Sequence, residues 1–105
     1  MTMDAFAVLL DGVGIPTAYR AFKIDKAPPL PFQCWLYLNN NPFAADGVVY
    51  YAGRRVRVEL YTEYVDAALE EKLETLLTQA ELFFEKAQEY IESEGCYQTS
   101  YEMEI

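Results

Sequence analysis

Histidine is absent from the 105 residues. Its absence removes Ser-His-Asp and Cys-His catalysis, imidazole ligation of zinc, and the side chain that titrates near neutral pH. Cysteine is scarce: Cys34 and Cys96 are too few for a thiolate zinc site or a disulfide scaffold. They read as two reduced, packed small side chains. A bridge would require their Cα atoms to come within about 7 Å. No apolar run approaches the roughly 20 residues that span a bilayer. The opening MTMDAFAVLL holds Asp4 and no Lys or Arg, unlike a secretory signal. The expectation is a soluble, cytoplasmic single domain over residues 1–105, with no membrane association. Basic residues are also scarce, eight against 17 acids.

The charge is lopsided. Residues 1–58 carry four acids and six bases, whereas residues 59–105 carry thirteen acids and two bases, so the halves stand at +2 and −11. An acidic surface repels nucleic-acid phosphate. It can serve as a solvated face, as a partner for a basic protein patch, or as a wall past which DNA moves without sticking. Hydrophobic residues make up 52% of the chain, enough for an ordered core.

Along the chain, Met3, Phe6, Ala7 and Leu10 fall on one helical face, with Thr2 placed to cap the start. Gly12, Gly14 and Pro16 end that helix. Ile15–Ile24 reads as extended, with an edge strand near Tyr19. Residues 27–31 include three prolines and read as a stiff connector. Phe32–Leu38 is a strand apolar on both faces, hence central or covered twice. Asn39-Asn40-Asn41-Pro42 and Asp46-Gly47 carry turn chemistry, so residues 39–47 read as a loop. Val48–Ala52 is a strand, Gly53 a bulge or tight turn, and Arg54–Tyr61 alternates with Val56, Val58 and Leu60 inward. Val65, Leu69, Leu73, Leu76, Leu77 and Ala80 form the stripe of a main helix started by Thr62 or Asp66, with Asp66, Glu70, Glu71 and Glu74 on its solvated side. Leu82–Ser93 reads as a strand by its aromatic content, with helix as the alternative. Residues 97–105 alternate cleanly after a Glu94-Gly95 turn. The expected architecture is α+β, in the order α-β-β-β-α-β-β: one antiparallel or mixed sheet with helices on one face.

No catalytic, metal or cofactor site emerges. Glu70, Glu71 and Glu74 have the spacing of a solvated helix face. Asp11-Gly12-Val13-Gly14 lacks the third glycine and the preceding strand of a dinucleotide loop. Glu89, Glu92 and Glu94, with Glu102 and Glu104 across the turn, could form an acidic ridge. Like charges facing across strands cost stability, which invites a functional reason. No calcium-loop pattern accompanies them. Arg54, Arg55 and Arg57 are the one basic cluster. They read either as charge balance against neighbouring Glu or as a contact with an acidic surface on another copy, a head-to-tail arrangement that closes into rings. The aromatics exceed what so small a core needs, which places some at interfaces. The candidate interface residues are Phe43, Asp46, Arg54, Arg55, Arg57 and Tyr61. The candidate lumen acids are Glu89, Glu92, Glu94, Glu102 and Glu104.

The order of several segments carries a resemblance. Pro31-Phe32 with Tyr37-Leu38, Phe43-Ala-Ala-Asp-Gly47, Val58-Glu-Leu-Tyr-Thr62, Tyr90-Ile-Glu-Ser-Glu94 and the ending Tyr101-Glu-Met-Glu-Ile105 resemble small tail proteins of long-tailed phages and prophages of Gram-positive bacteria. These are related to the tail terminator, or tail completion, group. The resemblance spans nearly the whole chain and rests on structural motifs. It implies a hexameric ring that caps the tail tube and faces the head connector, with DNA passing through unbound. Its expected partners are copies of itself, the major tail tube protein and the connector. Its expected location is the host cytoplasm during assembly and then the virion tail. Two alternatives stand beside it: a neighbouring head-tail joining protein of similar size, and an acidic DNA mimic that inhibits a DNA-binding protein.

Overall fold

In the computed structural model, residues 1–45 and 48–105 are described, with the backbone alone at 41–45 and 48–52. The elements are α1 (Met3–Asp11), β1 (Thr17–Tyr19), β2 (Phe32–Ala45), β3 (Val48–Thr62), α2 (Ala67–Gln79), β4 (Phe84–Ile91) and β5 (Cys96–Glu104). They form one mixed five-stranded sheet in the order β1-β2-β3-β5-β4. Pairing is antiparallel throughout except for the parallel β1–β2 edge, and the fold is α+β.

Both helices cover the same sheet face. Phe6, Leu10 and Val13 from the α1 region and Leu73 and Leu77 from α2 meet Trp35, Val56, Val58, Tyr101 and Met103 from the strands, forming one buried core. The period-2 pattern of β3 and β5 places these residues inward, so alternation alone accounts for the layer. Thr2 caps α1 by accepting a hydrogen bond from the Ala5 amide at 3.0 Å, and Asp66 caps α2 by accepting one from Leu69 at 3.1 Å. Gln33 is fully buried. Its Nε2 donates to the Leu10 carbonyl at 3.0 Å and to Thr17 Oγ1 at 2.9 Å, tying the last turn of α1 to β1.

Three segments depart from the sequence reading. The extended stretch expected over Ile15–Ile24 shrinks to Thr17–Tyr19, because Arg20 takes φ 70° and turns the chain across the helix-free face. The α2 stripe begins later than expected: Asp66 is the cap and Val65 is exposed. Residues 39–45 are not a loop. β2 runs on to Ala45, and Pro42–Ala45 pair with Val48–Tyr51. Asn and Pro are poor in a strand flanked on both sides, but here the strand has β3 as its one partner, and bulges absorb the irregularity. One bulge falls at Leu38. At the other, Ala52 and Gly53 stand against Asn41, as the glycine suggested. Asp46 and Gly47 lie outside the described residues.

Candidate interaction surface

The helix-free face of the sheet carries most of the residues singled out by sequence. The register sets Arg57 opposite Glu102, Arg55 opposite Glu104, and Glu85 opposite Glu102. Arg57 Nη2 donates to Glu102 Oε1 at 2.9 Å. Arg55 lies 3.7 Å from Glu85 and 3.9 Å from Glu102, between two carboxylates that would otherwise face each other unscreened. The arginine strand therefore meets the acidic hairpin within one chain, as the charge-balance reading expected. Arg54 is different: its side chain is exposed and forms no ion pair among the described residues.

Next along this face, Gln98 Nε2 donates to Tyr61 Oη at 2.8 Å and to Glu59 at 3.3 Å, while the Tyr61 hydroxyl donates to Glu59 at 3.3 Å. Burial, chiefly, lifts the Tyr61 phenol above its ordinary range, aided by the Glu59 charge and opposed by the Gln98 hydrogen bond. Phe43 belongs to β2, where its backbone alone is described, and Asp46 lies outside the described residues.

The five candidate lumen acids do not form one ridge. Glu92 and Glu94 occupy the β4–β5 turn, and Glu89 lies near it, opposite Gln98. Glu102 and Glu104 sit toward the far end of β5, roughly 20 and 26 Å from the turn at about 3.3 Å per residue. Glu102 is taken up by the arginines. Glu89, Glu92 and Glu94 are exposed and form no ion pair among the described residues.

Beside the turn lies a groove of about 620 Å³, with an apolar lining that includes Phe22, Leu30, Phe32, Tyr61 and Ile91, and with Arg20 and Glu94 among its polar residues. Phe22 and Phe32 meet edge to face at 5.3 Å, and Phe32 lies 5.2 Å from the Tyr61 ring. Cys34 and Cys96 line the same groove as free, buried thiols. Burial, first, and then the nearby charges of Glu59 and Glu94 respectively push both thiols up, which disfavours the reactive thiolate.

Sequence reasoning missed a second polar group, on the helix side. Glu70 and Glu74 do not face solvent. Lys86 Nζ lies 2.7 Å from Glu70 and 2.9 Å from Glu74, Gln88 donates to Glu70 at 3.1 Å and to Thr99 at 2.7 Å, and the Tyr101 hydroxyl donates to Glu74 at 2.9 Å. The signal was available in the alternation of β4, which puts Lys86 and Gln88 on the same face as Phe84. A cation and an amide on an inward face need acidic partners, and the helix that covers them offers Glu70 and Glu74. This group fastens α2 to the sheet. Among the described residues, no cluster of three or more His, Cys, Asp or Glu is placed to hold a metal ion.

No protein-family model matches the chain, and no curated protein matches it in sequence. Among solved structures, its fold is similar to that of a chain in a structure titled "Virion of native gene transfer agent (GTA) particle", with a TM-score of 0.53 and 12% identity over 97% of this chain and 87% of that one.

Proposed function

We propose that this chain is a structural component of a phage-like particle. In this reading it is a tail-terminator subunit that caps the tail tube, meets the head connector, and closes into a hexameric ring. It works by assembly rather than catalysis. The observation that carries the reading is the likeness of fold, over 97% of the chain, to a chain from a gene transfer agent virion structure. The order of the sequence motifs supports the narrower terminator assignment. Exposed Glu89, Glu92 and Glu94 supply the acidic wall past which DNA phosphate slides without adhering. The subunit forms in the host cytoplasm and ends in the virion tail.

Cryo-electron microscopy of particles assembled with a tagged copy tests the assignment. Density is expected at the head-proximal end of the tail tube, and density elsewhere overturns the terminator role. The lumen is tested by reversing Glu89, Glu92 and Glu94 to Lys together. The fold should survive and DNA delivery should slow, whereas unchanged delivery removes these acids from the wall. Glu102 is left out because its loss would remove the partner of Arg57 and one of the two partners of Arg55.

A further inference from the structure

We propose that copies of this chain join head to tail, with the ribbon formed by Pro42–Ala45 and Val48–Tyr51 of one copy lying over the Phe22–Phe32–Tyr61 groove of the next. The inference deepens the ring reading above and rests on it for closure of the ring, while the contact itself is argued from the chain.

Three observations meet. First, beyond the Asn40↔Arg54 pair, β2 and β3 pair with each other while no third described strand flanks them. A two-stranded ribbon is marginal in water by itself. The eight residues at 42–45 and 48–51 include no charged side chain, so the ribbon lacks the charges by which free edges usually keep other chains away. Second, the groove lies at the opposite end of the same strands. Phe32 opens β2 and Tyr61 is the next-to-last residue of β3, whereas the ribbon lies where β2 ends and β3 begins. A contact between opposite ends of two copies is heterologous, the kind that propagates into rings. Third, the charges beside the two surfaces complement each other. Arg54 at the ribbon's base and Glu94 at the groove are both exposed, and neither has an ion-pair partner among the described residues of its own chain. Arg55 and Arg57 are engaged within the chain, which leaves Arg54 as the arginine of the cluster free to reach a neighbour.

The test is photocrosslinking of the full chain with benzoylphenylalanine at position 43, in a mixture of isotopically light and heavy copies at millimolar concentration. Crosslinks between copies are expected at Phe22, Phe32, Tyr61 or Ile91. Arg54→Glu and Glu94→Arg should each lower their yield about tenfold, and combining both changes in every copy should restore it. Both positions are exposed, and an unchanged circular dichroism spectrum confirms that each variant folds. Absence of crosslinks between copies, crosslinks landing on the β4 edge or on either helix, or single variants without effect would each overturn the contact. The two readings separate cleanly. Crosslinks in the groove without incorporation into particles retain the contact and discard the virion role, and incorporation at the tube end with crosslinks elsewhere does the reverse.

Discussion

Lys86 stands between two carboxylates on the covered face of the sheet, with Glu70 almost shut off from water, its side chain 8% exposed. Replacing Lys86 with Met would leave that carboxylate without its cation. A loss of roughly 1–3 kcal/mol is expected in urea unfolding, less than for a fully buried pair because the Lys86 side chain is itself 36% exposed. Glu71→Ala, one position from Glu70 but solvated, should stay within about 0.5 kcal/mol. The same group sets a pH limit. The hydrogen bond that Lys86 donates to Glu70, foremost, raises its amine above the ordinary 10.5, against an opposing effect of burial. Burial, foremost, and the hydrogen bond to Glu74 raise the Tyr101 phenol above its ordinary 10.0. Both groups hold their protons more tightly when folded. Their contribution is therefore fully present below about pH 10 and is lost as the pH climbs through the raised folded values. Urea midpoints measured from pH 7 to 11.5 should be flat with respect to these groups and then fall, and the Lys86→Met, Tyr101→Phe double variant should fall less steeply. Equal alkaline slopes in the two proteins would refute the assignment.

At the scale of elements, what the sequence reading captured follows from alternation. β5 and the inner half of β3 were legible residue by residue because one face is buried and the other carries charge. α2 was legible as an element but not in its orientation. A helix with Glu at 70, 71 and 74 has the pattern of a solvated side, and nothing within its own residues reveals a lysine on the strand it covers. The stretch 39–45 was misread because Asn and Pro favour turns as local chemistry, while the pairing that overrides them is supplied by residues ahead on β3. The arginine cluster and acidic hairpin were recognised as complementary, but strand order decided that most of the pairing occurs within the chain. That order supplies a double-mutant test at this scale. Arg55→Ala and Glu85→Gln should each change stability by less than about 1 kcal/mol, with a measurable coupling of a few tenths, since Arg55 screens Glu85 from Glu102. Strictly additive effects would show that the carboxylates are screened by solvent instead.

The molecule as a whole measures 50 × 29 × 24 Å, long along its strands. Among the residues whose side chains are described, the buried core is built from α1 and Val13, Trp35 of β2, Val56 and Val58 of β3, α2 and β5. Replacing residues 41–53 by Asn-Gly, a two-residue turn suited to the Asn40↔Arg54 pair, should leave the unfolding free energy within about 1 kcal/mol of the full chain. The shortened chain should fail to incorporate into particles, and incorporation at normal levels would show that the ribbon is dispensable. The bulge at Ala52–Gly53 then acquires a geometric meaning. A Cβ built on Gly53 would come within 3.2 Å of the Ile105 carbonyl oxygen, so a side chain there needs the C-terminal backbone or the base of the ribbon to give slightly. A head-to-tail chain closes when the turn per subunit divides the circle, so in the proposed ring a few degrees at this bulge would decide between a closed hexamer, a wider annulus and an open spiral. In the proposed ring, Gly53→Ala would reposition Arg54 beside it and so change how many copies close the circle, which mass photometry of the assembled rings reads out.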